Sequence, residues 1–203
     1  MPTLRKIARA WLKAHPDTQI EEVSDLAAQL WDSVWHEERI LAVLLLEYRC
    51  DDLTLAQMPL IENMLHGVTG WAQLDPIAIG LVGALIDTDP ATLDYLVRWA
   101  ASEDFWVRRA AILAQIAQFR QGRGDLNLFA TLVVPMLSEG PHWTKDERFF
   151  IRKAIGWALR ELCRSRPDWV FAFVQQHQKQ MSGLTYHEAT RNLPETFKQR
   201  LNR

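Results

Sequence analysis

Trp157 stands between two cations on the side of a helix that should face solvent. The apolar residues of its segment share one stripe at helical spacing: Ile151, Ile155, Ala158 and Leu162. Trp157 falls well away from that stripe, beside Lys153 at i−4 and Arg160 at i+3. An indole flanked by cations suits a sugar or base surface with phosphates on either side. The alternative is a tryptophan that packs under the next helical unit.

Arg109 shows the opposite pattern, a charge where apolar residues belong. On a helical wheel it falls inside the sector of Phe105, Ile112, Leu113 and Ile116, whereas Arg108 lies at the edge of that sector. Because an unpaired buried charge is too costly, the guanidinium of Arg109 must find a partner or reach a polar cleft.

Trp71 and Asp75 are the third candidate group. Four residues apart, they share one face if the stretch is helical. Asp75 also precedes Pro76, and aspartate followed by proline is a common arrangement at a helix N-cap. A functional carboxylate and a capping carboxylate are both compatible with this pattern.

Several familiar catalytic sites are excluded by spacing. His36-Glu37 begins like the zinc motif His-Glu-x-x-His, but Ile40 stands where the second histidine must be. No glycine-rich phosphate loop and no Gly-x-Ser-x-Gly sequence occur. We therefore expect no metal, no nucleotide cofactor and no hydrolase triad.

The elements that carry these residues are predicted to be helices throughout. Capping and proline signals place helices up to residue 14, up to about 31, and over 37–48, 55–65, 89–101, 104–119, 125–136 and 144–163, with another starting at Pro167. Thr144 to Glu147 and Thr185 to Glu188 each have the sequence of a capping box. No segment of alternating β-branched residues competes with the helical pattern.

Tryptophan spacing predicts a repeat architecture. Trp35, Trp71, Trp106 and Trp143 lie 36, 35 and 37 residues apart, each near the start of the first helix of a helix pair. A period of this length indicates a solenoid whose units bury their apolar faces by stacking on their neighbours. The signature of tetratricopeptide repeats is missing, so we predict one all-α, HEAT-like solenoid domain over residues 1–203.

Charge is distributed unevenly along the chain. Residues 1–97 contain 6 Lys and Arg against 15 Asp and Glu, a net charge of −9, whereas residues 98–203 contain 17 against 10, a net charge of +7. A basic half is typical of a surface that binds a polyanion, although a solvated basic helix face would give the same count. Two isolated cysteines and the lack of a long apolar run indicate a cytoplasmic protein without a membrane span.

Three blocks of the sequence together resemble the AlkD-like DNA alkylation repair glycosylases. These blocks are Trp71-Ala-Gln-Leu-Asp75, Phe105-Trp-Val-Arg-Arg-Ala-Ala-Ile-Leu113 and Phe149-Phe-Ile-Arg-Lys-Ala-Ile-Gly-Trp-Ala-Leu-Arg-Glu161. The resemblance runs from about Leu4 to Ala189 and so covers nearly the whole chain.

The resemblance implies a HEAT-like solenoid whose concave basic face binds duplex DNA. We expect the protein to be a monomer. The resemblance also implies base excision repair, by hydrolysis of the N-glycosidic bond of cationic N3- and N7-alkylpurines without a deep lesion pocket. By the same resemblance, Trp71 and Trp157 contact the deoxyribose of the lesion and Asp75 lies at its C1′ atom. The resemblance further implies that Arg109 holds a phosphate and that Arg160 contacts the DNA backbone. Arg108 and Lys153 are further DNA-binding candidates.

Two departures from the family pattern leave other functions open. Gly70 and Ala72 flank Trp71 where the family has an aromatic-Trp-Asp sequence, and Pro76 follows Asp75. The chain also begins about one helix pair later than members of the family do. This predicts that the family's N-terminal helix pair is lacking here. Either departure could leave a protein that binds damaged or distorted DNA but excises slowly or not at all. A scaffold for a protein partner is a third possibility, but it gives no reason for this particular set of residues.

Overall fold

Helices form almost all of the regular structure in the computed structural model, which describes residues 2–138 and 143–201. Neither strands nor isolated bridges occur among these residues, and the prediction of an all-α fold is confirmed. The chain divides into two compact units, Met1–Thr92 and Leu93–Arg203. The organisation of the whole chain as a single domain stays a prediction.

Unit 1 is built around a central buried helix. Its helices are α1 (Pro2–Ala14), α2 (Ile20–Trp31), α3 (His36–Glu47), α4 (Met58–Gly67), α5 (Trp71–Pro76) and α6 (Gly83–Thr88). Both α1 and α2 pack against α3, whose apolar residues are buried almost without a break from Ala42 to Leu46. A π-helical segment, Ile77–Val82, joins α5 to α6 without an intervening loop.

Unit 2 is organised around its longest helix. Its helices are α7 (Thr92–Ala100), α8 (Phe105–Leu113), α9 (Ile116–Arg120), α10 (Leu126–Leu137), α11 (Lys145–Leu162), α12 (Pro167–His177), α13 (Gly183–Thr190) and α14 (Glu195–Lys198). Helix α11 packs against α8, α9 and α13. Its apolar stripe is fully buried, so the helical period predicted for residues 151–162 is confirmed.

Most of the predicted helix starts are present, with the predicted chemistry. Asp104 accepts a hydrogen bond from the backbone N–H of Trp106 (2.8 Å), and Asp125 caps α10 in the same way. Thr144 and Glu147 form the predicted capping box at the start of α11. The helix predicted to begin at Asp89 begins at Thr92, although the Asp89 carboxylate does accept from the Ala91 N–H (2.9 Å).

Two predictions about unit 2 are wrong. The segment 104–119 is not one helix, because a turn at Ala114 and Gln115 separates α8 from α9. Thr185 does not start a capping box, because Ser182 caps α13 by accepting from the Thr185 N–H (3.1 Å). The buried Thr185 hydroxyl instead donates to the backbone carbonyl of Arg152 on α11 (3.2 Å). Ser182 and Thr185 are both residues that can cap a helix. The helix begins after Ser182, the earlier of the two, and in this arrangement Thr185 contacts α11.

The tryptophan period marks equivalent positions, as predicted. Trp35 is the residue before α3, Trp71 begins α5, Trp106 is the second residue of α8, and Trp143 lies just before the N-cap of α11. Each is therefore at the N-terminal end of a helix, one helical repeat apart along the chain.

We predict that Gly156→Ala destabilises the protein because α13 leaves no room for a Cβ atom at this position of α11. A Cβ atom at residue 156 would lie 2.5 Å from the Cβ of Glu188 and 3.1 Å from the carbonyl oxygen of Thr185. Overpacking costs about 1–3 kcal/mol, which exceeds the ~1 kcal/mol that alanine gains over glycine in helix propensity. Urea unfolding should show a lower free energy of unfolding.

Gly183→Ala is the matched control. Nothing lies within 4 Å of a Cβ atom at residue 183, so this variant should be neutral or more stable by about 0.4–1 kcal/mol. Equal stability of the two variants would contradict the close packing of α11 on α13.

Candidate functional site

Trp71 and Asp75 lie on one face of a helix, as their spacing predicts. The helix begins at Trp71 with Gly70 as its N-cap, so Asp75 is the fifth residue inside it. The capping interpretation of Asp75 is therefore wrong, because an N-cap residue must precede the helix. The Trp71 side chain is 58% exposed, and Asp75 is half-buried one turn further along.

A buried glutamine fixes the start of this helix. The Oε1 atom of Gln73 accepts from the backbone N–H of Thr69 (2.9 Å) and from its hydroxyl (3.2 Å). The Gln73 Nε2 atom donates to Nδ1 of His36, the first residue of α3 (3.1 Å). Gln73 thus ties the start of the helix that carries Trp71 to Thr69 and to α3, and a Thr and a Gln four residues apart around Gly70 were the only sequence signal for it.

The backbone widens immediately after Asp75. Pro76 has no N–H to offer to the carbonyl of residue 72, and the next six residues form a π-helical segment. Such segments are rare and are frequently found at functional sites, where they change the direction in which side chains point. Asp75 therefore lies where the regular helical ladder is interrupted, in a position that sequence periodicity did not predict.

Both arginines of α8 are buried, and both are held by the protein itself. Arg109 is only 3% exposed and donates to the backbone carbonyl of Phe150 on α11 (2.8 Å), with its guanidinium over the Phe150 ring. The prediction that this charge must find a partner is confirmed. Its contact with a phosphate stays a prediction.

Arg108 is more deeply placed than the edge position predicted from the helical wheel. It is 8% exposed, donates to the carbonyls of Ser102 (2.7 Å) and Glu103 (3.3 Å), and stacks over the Trp143 ring. Burial lowers the pKa of its guanidinium, with Glu147 at 3.7 Å acting in the opposite direction. Arg108 thus ties the loop before α8 to the start of α11.

Trp157 is half-buried and away from the apolar stripe of α11, as predicted. Its indole Nε1 donates to Oε1 of Glu161 one turn later (3.1 Å). The other oxygen of Glu161 accepts from Nε of Arg120 on α9 (3.0 Å). Burial opposes ionisation of Glu161, but the hydrogen bonds from Arg120 and Trp157 outweigh it, so the pKa of this carboxyl lies below its usual range.

The two cations beside Trp157 share a single carboxylate. Lys153 contacts one oxygen of Glu188 on α13 (2.5 Å), and Arg160 forms an ion pair with the other. Burial again opposes ionisation, but the hydrogen bond from Lys153 and the charge of Arg160 lower the pKa of Glu188 below its usual range. Glu161 and Glu188 were both missed as site residues. Glu161 stands at i+4 from Trp157, so helical spacing could have identified it, whereas Glu188 comes from another helix and left no local signal.

Metal-ligand groups and membrane-spanning helices are both absent from the described part of the chain. Among residues 2–138 and 143–201, no group of three His, Cys, Asp or Glu side chains could hold a metal ion. Within the same residues no helix combines the length and apolarity needed to cross a membrane. Cys50 is half-buried and Cys163 buried, and both are free thiols.

Comparison with solved structures defines the class of fold as that of AlkD-like helical-repeat proteins. A predicted DNA alkylation repair enzyme from Enterococcus faecalis superposes with a TM-score of 0.78 at 20% identity, over 96% of this chain and 86% of the other. AlkD2 from Streptococcus mutans gives 0.65 at 17% identity, over 95% and 89% of the two chains. The crystal structure of smu.31 from Streptococcus mutans UA159 gives 0.66 at 18% identity, over 95% and 94%.

The family is shown by the sequence. The family model described as DNA alkylation repair enzyme matches residues 1–193, and the chain therefore belongs to that family. A comparison with curated proteins finds no match.

We predict that the two paired carboxylates of unit 2 make the protein less stable in acid. A group whose pKa is lowered on folding contributes its full stability above the ordinary glutamate pKa of about 4.3, and loses it as pH falls through the lowered value. The double variant Glu161→Gln/Glu188→Gln should therefore lose less free energy of unfolding than wild type between about pH 6 and pH 3.

Urea unfolding at both pH values measures this difference. Glu195→Gln, a change of a largely exposed carboxylate on α14, serves as the control and should follow wild type. An unchanged pH dependence in the double variant would contradict the pairing of these carboxylates in the folded protein.

Proposed function

We propose that this protein is a DNA glycosylase that hydrolyses the N-glycosidic bond of cationic N3- and N7-alkylpurines in duplex DNA. One observation carries the proposal. Asp75 lies inside a helix, one turn after a largely exposed tryptophan, in a chain of the DNA alkylation repair family. A capping role no longer accounts for this carboxylate.

The chemistry needs little more than a placed negative charge. In a cationic alkylpurine the bond between C1′ and the ring nitrogen breaks with its electron pair going to the base, which thereby becomes neutral. No strong general acid is required, because the leaving group already carries the positive charge. The Asp75 carboxylate stabilises the positive charge that develops on the sugar and orients a water, which adds to C1′ and releases one proton. The indole face of Trp71 suits the same cationic sugar.

Unit 2 supplies residues for the sugar and the phosphates. We assign to Trp157 a contact with the deoxyribose of the lesion, and to Lys153 and Arg160 contacts with the DNA backbone. Both cations are already paired with Glu188, so a phosphate would replace or share that carboxylate. We keep Arg109 as a phosphate contact and Arg108 as a further candidate, although both are buried and donate to backbone carbonyls. With free thiols at Cys50 and Cys163, we place the activity in the cytoplasm.

Binding of damaged DNA without excision is the second candidate function. Gly70 and Ala72 flank Trp71, and Pro76 is followed by the π-helical segment. These features change the backbone next to the proposed catalytic carboxylate, so they favour a protein that recognises DNA but does not cleave the glycosidic bond.

We predict that Asp75→Asn slows excision of N7-methylguanine by roughly 10- to 1000-fold, the usual effect of losing one preorganised electrostatic contact. The substitution keeps the shape of the side chain and removes its charge. Affinity for undamaged duplex DNA should hold or rise slightly, because a carboxylate near phosphates opposes binding. Single-turnover release of the base measures the first effect, and fluorescence anisotropy with a labelled duplex measures the second.

Asp89→Asn is the matched control for this experiment. Asp89 belongs to the same unit and caps a backbone N–H, and asparagine caps nearly as well as aspartate. Excision at the wild-type rate is expected for this variant. A wild-type rate for Asp75→Asn as well would contradict a catalytic role for Asp75 and favour the binding function.

We predict that Glu188→Gln strengthens binding of duplex DNA several-fold at low salt. The change removes the carboxylate that pairs with Lys153 and Arg160. Each cation that then neutralises a phosphate steepens the slope of the logarithm of affinity against the logarithm of salt concentration by about one. Titrations at several salt concentrations measure both effects, with Glu195→Gln as the control. Weaker binding with an unchanged slope would contradict the assignment of these cations to the DNA backbone.

A further inference from the structure

Trp157 is the only proposed lesion contact whose polar edge is bound to a nearly buried carboxylate. Glu161 is 5% exposed, and its Oε1 atom accepts the indole N–H at 3.1 Å. Residues four apart on a helix are neighbours, so this hydrogen bond closes within one turn of α11. It joins the indole to a group that is itself held in place.

Arg120 is what holds that group. Its Nε atom donates to Oε2 of Glu161 (3.0 Å) from α9, a helix packed against α11. The two oxygens of Glu161 thus accept from donors on two different helices, and Arg164 lies near the second oxygen at 3.9 Å. Rotation of the carboxylate about its last bond would break one of these hydrogen bonds, so the position of Oε1 is fixed.

A half-buried tryptophan on a helix would otherwise have a choice of rotamers. The indole of Trp157 can turn about two side-chain bonds, and only its N–H provides a directional contact. An indole face contributes to recognition only when its plane is held close to the productive orientation, because a misplacement of about 1 Å can cost roughly 100-fold in rate.

We propose that Glu161 is the positioning residue for Trp157, and that the Arg120–Glu161–Trp157 series of hydrogen bonds fixes the orientation in which the indole meets the sugar of bound DNA. The inference rests on the proposed function for the role of Trp157. It assigns no contact with DNA to Glu161, which acts only through the indole.

The two acceptors of a carboxylate make the proposal specific to Glu at this position. In Glu161→Gln the amide has one acceptor oxygen and one donor nitrogen, so it can satisfy either Arg120 or Trp157 but not both. In the double variant Arg120→Gln/Glu161→Gln, the new residue at 120 can accept from the amide at 161, and the amide oxygen is free to accept from Trp157. The double variant should therefore recover what the single variant loses.

The first measurement uses the protein without DNA. In ¹⁵N-labelled protein the indole N–H resonance of Trp157 is identified by its loss in Trp157→Phe. Glu161→Ala and Glu161→Gln should shift or broaden this resonance, and Arg120→Gln/Glu161→Gln should return it to a single narrow line. An unchanged resonance in Glu161→Ala would overturn the proposal whatever the protein does to DNA.

The second measurement is a double-mutant cycle on a duplex with one N7-methylguanine. Glu161→Ala and Trp157→Ala should each slow single-turnover excision by roughly 10- to 100-fold, and their combination should cost no more than Trp157→Ala alone. Additive losses would overturn the proposal, because Glu161 would then act independently of the indole. The melting temperature of each variant is measured as well. Excision rates are then compared at a temperature at which every variant is folded.

Failure of the proposed function gives a different result from failure of this inference. If wild-type protein does not excise the base, the same cycle is read from affinity for the duplex, where non-additive weakening still supports Glu161 as a positioning residue. If wild type excises the base but the two substitutions are additive, the proposed function stands and the positioning role is contradicted.

Discussion

Two carboxylates that are largely withdrawn from water organise the polar face of α11. Glu161 and Glu188 each satisfy both of their oxygens with donors, and each donor is a side chain of α11 or of a helix next to it. Removing such charges from water costs several kcal/mol per ion, and only well-placed cations and hydrogen-bond donors offset that cost. The arrangement is therefore tolerated only with its cations in place, and loss of one partner leaves a charge that the fold cannot compensate.

The close approach of α13 is what brings Glu188 to this face. Gly156 allows the backbone of α13 to lie where a side chain would otherwise stand, and Thr185 bonds across to α11 from the same helix. Glu188 then reaches Lys153 and Arg160, one turn before and one turn after Gly156 along the helix. A packing constraint at one small residue thus decides how two proposed DNA-binding side chains are paired and oriented.

Much of the fold could be predicted from the sequence because its signals are local. Helical period, proline and the Asp and Thr caps depend on neighbours within four residues, and they located most helices to within a few positions. One rejected alternative and one wrong prediction have another cause. Asp75 before Pro76 has the sequence of a cap, but Gln73 and Gly70 start the helix earlier. At α13, Ser182 and Thr185 are both suitable capping residues. Ser182 caps the helix, and Thr185 contacts α11.

The candidate site was less predictable because its partners are distant in sequence. Trp157, Lys153 and Arg160 stand out by helical spacing. Glu188 reaches Lys153 and Arg160 from 35 and 28 residues away, and Arg120 reaches Glu161 from 41 residues away. Burial of Arg108 was also missed, since a long side chain at the edge of an apolar sector can still place its guanidinium on backbone carbonyls. Spacing identifies which residues are unusual, and tertiary packing decides what they bind.

The most direct test of the proposed function is release of N7-methylguanine from a duplex by the wild-type protein. The protein is incubated in molar excess at low salt, and free base and abasic sites are counted against the same duplex without protein. Our account predicts first-order release at least roughly 10-fold faster than spontaneous loss, in keeping with the weakest of the electrostatic effects assigned to Asp75. Binding of the duplex with release at the spontaneous rate would contradict it.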